Sequence, residues 1–464
     1  MSLIIPANSA AASGGYVVAN SCRFDGTSAY LSRTQGTPTD IDKYTISVWF
    51  KRSALFNGSY QNIIGTDHQS VREAIRFNDD ADSLTWDFKN ASNTKSNITP
   101  NQLFRDVASW YNLVCIFDSA NGTANLRRRI FLNGTEITSF AAVTYNAQNE
   151  DGNLNKGGQN IVIGIPAAAN NFFSGYMSEF VFVDGQALTP DGNFGEFDED
   201  SGIWKPIDVS GLTFGNNGFY LDFEDSGDLG DDESGNGNDF AETNLAAIDQ
   251  STDTCTNNFA TLNVLNKGTS VSLSEGNLAY TAPSGSFASV LSTIGFSQGK
   301  WYAEYQWKSG SNSHVGIGKE NINYNHYLSY TANGYSYYKD GRKFNNSSAS
   351  SYGNSYAVDD IIGVALDLDN GAIWFSKNGT WQNSATLTEI QNGTTTNAAF
   401  TSLSGEFFFG TGMGNSNELA SFNFGSPPYS ESGGETDGNG YGNFAHEVPS
   451  GYYSLNTKNL AEYG

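Results

Sequence analysis

The sequence is short of basic residues, cysteine and long apolar runs, and each shortage removes a class of function. Lys and Arg number 24 against 49 Asp and Glu, a formal net charge of −25 over 464 residues. A surface of that sign repels nucleic acid and anionic lipid and keeps a high-copy component soluble, so no nucleic-acid partner is expected. The three cysteines, Cys22, Cys115 and Cys255, are odd in number and far apart, which fits neither a disulfide framework nor a zinc cluster. Cys115 lies in the apolar run LVCIF and reads as a small buried hydrophobe. No segment approaches the ~20 apolar residues of a membrane span, so no membrane insertion is expected. The first basic residue is Arg23 and the early apolar stretch is only Leu3, Ile4 and Ile5, the reverse of a secretion signal. Catalytic signatures are missing as well. There is no G-x-S-x-G elbow, no phosphate loop, and no metal-ligand spacing among His68, His314, His326 and His446. The chain is expected not to be an enzyme.

Glycine is abundant at 51 residues, and aromatics make up 14% of the chain beside 16% charged residues. That profile belongs to a turn-rich all-β protein. Asn-Gly recurs at 57–58, 121–122, 133–134, 217–218, 333–334, 370–371, 378–379 and 392–393. Both residues tolerate positive φ, so each dipeptide predicts a hairpin turn. Short apolar runs lie between them, at 45–51 (TISVWFK), 110–117 (WYNLVCIF), 129–132 (RIFL), 161–165 (IVIGI) and 176–183 (YMSEFVFV). In WYNLVCIF, Leu113, Cys115 and Phe117 point one way and Val114 and Ile116 the other; both faces are apolar, which predicts a strand covered on each side. Farther on, Trp301, Ala303, Tyr305 and Trp307 share one face, and Ile362, Val364, Leu366 and Leu368 match Ile373 and Phe375 across an Asn-Gly turn.

The expected fold is therefore all-β, two β-sandwich (jelly-roll) domains in tandem. An extended N-terminal arm occupies 1–21, the first sandwich 22–240, an irregular connector 241–274, and the second sandwich with a C-terminal extension 275–464. The connector keeps Leu245, Ile248, Phe259 and Leu262 as sparse anchors, which a free linker would lack. The ending PSGYYSLNTKNL is apolar enough to pack back on the second sandwich.

The ordered motifs SVWFKRS, WYNLVCIFD, RIFLNGTEI and FFSGYMSEFVFVDGQALTP resemble the concanavalin A-like, laminin-G-like jelly roll. The motifs HVGIG, DDIIGVALDLDNGAIWFSKNG and FFFGTGMG resemble the SPRY domain. Together with the opening MSLIIPANSA and the turn FGEFDEDSGIWKP, this arrangement is similar to virion proteins of bacteriophages, notably marine ones.

Jelly rolls include β-glucanases, in which two carboxylates stand about 5–5.5 Å apart across the sugar bond. The nearest string here, Glu196-Phe197-Asp198-Glu199-Asp200, lacks the second glutamate on the shared face and reads as a solvated acidic turn. Asp225, Asp228, Asp231 and Asp232 crowd a Gly/Asn-rich loop; hard oxygen donors at that spacing suit Ca²⁺, against the simpler reading of a solvated loop. No other cofactor is expected. Tyrosines 324, 327, 330, 335, 337 and 338 crowd one stretch, interleaved with asparagines. Flat rings beside amide groups recognise sugars and protein epitopes at low entropy cost, and SPRY domains bind through loops at one end of the sandwich. Asn321, Asn323, Tyr324, Asn325, His326 and Tyr327 are therefore the candidate ligand-binding residues. The simpler reading makes half of the tyrosines core residues.

What the resemblance implies is a structural component of a phage virion appendage (tail fibre, head fibre or capsid decoration), assembled in the host cytoplasm and forming a homotrimer. Its expected partners are other virion proteins and a host-surface glycan or protein. A bacterial surface lectin or adhesin is the alternative, and a glycan depolymerase the third reading.

Overall fold

The computed structural model describes residues 15–464, apart from 56, 57, 59, 67–70, 79, 80, 91, 93, 94, 166–171, 284, 286, 415, 416 and 430–432. Most of the expected N-terminal arm, His68 and the first residue of the 57–58 turn thus lie outside the described residues. The described chain forms two compact units, 15–256 and 257–464.

The first unit is a sandwich of two eight-stranded sheets. One sheet runs Thr135–Glu136, Arg128–Leu132, Tyr111–Asp118, Lys43–Arg52, Ser174–Asp184, Ser21–Asp25 and Gln250–Ser251, with Phe219–Leu221 also paired to Ser174–Asp184. The other runs Phe140–Thr144, Lys95–Pro100, Leu84–Lys89, Arg72–Phe77, Gln61–Thr66, Asn160–Ile163, Tyr30–Thr34 and Ala241–Thr243. Ile46, Val48, Phe50, Ile75, Trp86, Ile98, Leu113, Cys115, Phe117 and Met177 fill the space between them, each large side chain stabilising the fold by roughly 1.5–3 kcal/mol on burial. The outer face of the first sheet is covered too: Val114, Ile116, Val181 and Val183 pack under Phe194, Val209, Phe214 and Tyr220. This double cover accounts for the apolar residues on both faces of WYNLVCIF.

The strand Ser174–Asp184 breaks its alternation at a bulge between Ser178 and Val181, where Glu179 takes φ +48°. Met177 faces the core before the bulge, and Phe180 and Phe182 after it. A simple period of two cannot put all three on one side, and the extra residue resolves the conflict.

One buried carboxylate pins this core. Glu73 is fully buried on Arg72–Phe77. It accepts hydrogen bonds from the Tyr44 hydroxyl, from Trp86 Nε1 at 2.8 Å, and from the backbone N–H groups of Asn153 and Leu154 at 2.9 and 3.1 Å. Arg128, also buried, donates to the Trp86 carbonyl at 2.7 Å and lies over the Trp86 ring.

In the second unit a seven-stranded sheet faces an eight-stranded one. Trp301, Ala303, Tyr305 and Trp307 from Lys300–Ser309 meet Ile362, Val364 and Leu366 from Ile361–Asp367 and Ile373 and Phe375 from Ala372–Lys377 in one core. The ending does pack back: Tyr453–Ser454 pairs with Trp301 and Tyr302, and Leu455 and Leu460 join the core, the latter from the helix Thr457–Tyr463.

Residues 241–274, read from sequence as an irregular connector, carry strands. Ala241–Thr243 and Gln250–Ser251 close the two sheets of the first unit, and Leu262–Lys267 edges a sheet of the second. The anchors include Phe259 and Leu262, both buried in the second unit. Asn133-Gly134 and Asn378-Gly379 have paired positive φ values, 46° with 75° and 46° with 76°, and close two-residue hairpins. Asn392-Gly393 does not mark a hairpin. It ends the helix Leu387–Gln391, whose start is fixed by Thr386 and Glu389 bonding each other's backbone N–H.

Candidate functional site

The loop 321–330 joins the inner strands His314–Gly318 and Gly334–Tyr338 of the seven-stranded sheet. Ile322 and Leu328 are its buried anchors, packing with Leu291 and Phe408 and leaving the rings between them near the surface. The loop is tied down on both sides. The Ser289 N–H donates to the Tyr324 carbonyl at 2.8 Å, the Ser289 hydroxyl to the His326 carbonyl, and the N–H and hydroxyl of Thr269 to Asn325 Oδ1 at 2.9 and 3.1 Å.

The result is a stack of rings. His326 lies parallel between Phe287, at 5.1 Å and 7°, and Tyr330, at 3.4 Å and 11°. Phe287 and Tyr330 are 41% and 39% exposed, which leaves both ends of the stack to solvent. Tyr327 packs edge-on against Phe287, His326 and Tyr330 and stacks on His314 at 4.9 Å. His314 is buried, shares a hydrogen bond with Ser336 at 2.9 Å, and is held neutral because burial pulls its pKa down to about 3. Burial also lowers the pKa of His326. The surface is therefore aromatic and uncharged, on a loop that also exposes Asn321, Asn323 and Asn325. That combination suits a sugar ring or an aromatic-rich epitope.

Of the six residues singled out from sequence, His326 and Tyr327 belong to the stack. Tyr324 turns its hydroxyl to the Glu320 carbonyl, at 2.7 Å, and is half-buried. Asn323 and Asn325 hold the loop: Asn323 Oδ1 accepts the Asn325 N–H at 3.2 Å, and Asn325 holds Thr269. Tyr337 is a core residue and Tyr335 packs partly against the core. Tyr330, the last residue of the stretch 321–330 singled out as a binding loop, belongs to it too; Phe287 and His314 were missed as members. Phe287 comes from the strand Phe287–Ser292, distant in sequence, and only the fold brings it to the loop; His314 opens the strand just before the loop and reads from sequence as a plain strand-edge residue.

The four aspartates proposed for Ca²⁺ are not gathered into a chelating group; among the described residues no cluster of three or more His, Cys, Asp or Glu side chains is placed to hold a metal ion. The oxygens of Asp225, Asp228 and Asp232 are used by turns of their own chain segment. Asp225 accepts the Gly227 N–H at 2.7 Å and Asp228 the Gly230 N–H at 3.1 Å. Asp232 accepts from Tyr220 N–H, Ser234 N–H and hydroxyl, and Asn238 N–H. Asp231 has its pKa raised by burial and by Asp239 and Asp228 beside it. The acidic string at 196–200 sits on the outer hairpin of Gly195–Phe197 and Trp204–Pro206, where Lys205 pairs with Glu196 and Asp198 at 3.2 and 3.3 Å.

A second surface had no counterpart in the sequence reading. On the outer face of the first unit, Tyr60, Arg76, Asn78, Thr85, Asp87, Lys95, Asn97 and Thr99 line an open depression of about 350 Å³. Its signal was the polar half of the alternation in REAIRF, LTWDFK and KSNITP, legible once these three runs are known to be neighbours.

Comparison with known proteins agrees with the two-unit architecture. Residues 25–192 match the concanavalin A-like lectin/glucanases superfamily and residues 300–427 match the SPRY domain; both domains are present in the chain. No curated protein matches it. Among solved structures it is similar to the SPRY domain of human HERC1, with 18% identity, 35% of this chain and 96% of that one covered, and a TM-score of 0.29. It is also similar to a native heptameric SAP-like pentraxin from Limulus polyphemus, with 17% identity, 38% and 80% covered, and a TM-score of 0.27. The TRIM65 PSpry domain is a third, with 11% identity, 35% and 91% covered, and a TM-score of 0.28.

Proposed function

We propose that this acidic chain, which carries a concanavalin A-like domain and a SPRY domain, is a structural component of a bacteriophage virion appendage that binds a glycan or protein on the host surface. It acts by binding, without turnover. The observation that carries the reading is the exposed ring stack of Phe287, His326 and Tyr330, held rigid by hydrogen bonds from Ser289 and Thr269. Rigid rings lose little entropy on contact, so they make efficient anchors at a recognition surface. The net charge of −25 supports a component present in many copies, because it keeps unassembled chains apart. In this reading the chain assembles in the host cytoplasm as a homotrimer, with residues 1–21 docking it to other virion proteins.

The test is to label purified particles with an antibody against the 257–464 unit and image them by negative stain. Labelled appendages support the proposal, and their loss on deleting residues 1–21 supports the docking role. Particles without the chain, together with its presence on a bacterial cell surface, would replace this reading with that of an adhesin.

A further inference from the structure

The outer face of the first unit holds a charge arrangement that runs against the rest of the molecule. Three neighbouring antiparallel strands, Arg72–Phe77, Leu84–Lys89 and Lys95–Pro100, place directly opposed residues in rows across the sheet. One row is Arg72, Lys89 and Lys95: Arg72 pairs with Lys89, and Lys89 pairs with Lys95. The next holds Asp87 and Asn97, and a third Arg76 and Thr85, with Thr99 hydrogen-bonded to Thr85 at 2.8 Å.

Like charges directly opposite each other destabilise a sheet, and nothing in the packing of the core requires cations here, since this face points away from it. The one carboxylate in these rows, Asp87, is engaged by two guanidinium groups, Arg72 Nε at 2.6 Å and Arg76 Nη2 at 3.2 Å. Two arginines thus hold the one carboxylate, and Lys89 and Lys95 stand in the neighbouring row without a carboxylate among these rows; the four cations are drawn from only 24 basic residues in a chain of net charge −25. Of the four, Arg76 and Lys95 line the depression, together with the neutral hydrogen-bonding groups Asn78, Thr85, Asn97 and Thr99; Arg72 and Lys89 continue the row beside it. At its flank the Tyr60 ring is capped by Arg76 at 3.9 Å.

We propose that this face binds an anionic glycan, its carboxylate or sulfate groups lying along the Arg72–Lys89–Lys95 row and its hydroxyls meeting the threonine and asparagine rows. Adjacent strands are about 4.8 Å apart, so the cations form a line about 10 Å long, which a polymer carrying charge on successive sugars follows. The net charge of −25 works against polyanion binding to the chain as a whole, so a polyanion that binds needs a local group of cations such as this row. The site lies in a different unit from the ring stack, and its ligand is independent of what the stack binds.

The test uses the full-length chain with four probes: polygalacturonate for carboxylate, dextran sulfate for sulfate, neutral dextran, and an oligo-dT strand. Binding to polygalacturonate, dextran sulfate or both is expected, weakening as NaCl rises, and the responding polymer identifies the anionic group. The K89Q/K95Q variant should bind about tenfold more weakly, with a melting temperature equal to or slightly above that of the parent because a like-charge pair has gone. F287A/Y330A should bind these polymers normally, which separates this site from the ring stack. The proposal is overturned if neither acidic polymer binds, if neutral dextran or oligo-dT binds as tightly, or if K89Q/K95Q binds as the parent does.

Discussion

Tyr220 donates its hydroxyl hydrogen to Glu179 Oε2 at 2.8 Å, on the outer side of the sheet that holds Ser174–Asp184, at a bulge where Glu179 takes a positive φ. The Tyr16 hydroxyl lies 3.2 Å from that of Tyr220 and completes the chain of polar groups. Burial is the main cause that raises the Glu179 pKa to about 8, with Asp222 and Glu224 adding to the effect. The carboxyl group is therefore largely protonated at neutral pH, and the acidic side chains around it favour that form.

This has a consequence for stability. A carboxyl whose folded pKa lies above its unfolded value binds more protons when folded, so it stabilises fully below the unfolded pKa and loses that contribution as pH rises. The window runs from 4.5 to about 8 for Glu179 and from 4.5 to about 7 for Glu304, which is also raised mainly by burial. Within it, each group should lower stability by up to about 1.4 kcal/mol per pH unit. Chemical denaturation at intervals from pH 5 to 8 should show stability falling with pH, and E179Q should flatten that slope for the first unit. A profile unchanged by E179Q would contradict the assignment.

Glu73→Ala should cost about 3–5 kcal/mol in the first unit, because it strands the Tyr44 hydroxyl, Trp86 Nε1 and two backbone N–H groups and leaves Arg128 buried without its counter-charge. Urea unfolding followed by tryptophan fluorescence reads this directly, and a loss under 1 kcal/mol would show that the network contributes little.

Calcium should leave the protein unaffected. The oxygens of Asp225, Asp228 and Asp232 are already held by turns of their own loop. A cation present at a hundred times its Kd would add about 2.7 kcal/mol of stability. Melting curves in EGTA and in millimolar Ca²⁺ should superimpose, and a clear upward shift with Ca²⁺ would support the metal reading instead.

Much of the fold was legible because burial writes itself into alternation. WYNLVCIF announced two covered faces, and Trp301, Ala303, Tyr305 and Trp307 fell on one side in the structure as in the sequence. What escaped was whatever depends on register or on a local exception. The bulge at Glu179 is invisible in YMSEFVFV, because its effect is to shift the phase of the residues after it. Thr386 and Glu389 form a capping box in a chain otherwise rich in turns, and Asn392-Gly393, a hairpin signal by its dipeptide, ends the short helix that the box starts. The candidate loop 321–330 was half legible. Its rings were visible, but Asn323 and Asn325 proved to be its fasteners, since asparagine in a turn bonds the nearest backbone. Phe287 and the Arg72–Lys89–Lys95 row required knowing which strands lie side by side.

The central claim is that the rings of Phe287, His326 and Tyr330 form the recognition surface of the SPRY unit. Adsorption of the labelled full-length chain to host cells, compared between the parent and F287A/Y330A at equal melting temperature, tests it directly. The account predicts at least about a tenfold loss, about 1.4 kcal/mol of binding free energy; adsorption equal to that of the parent would contradict it.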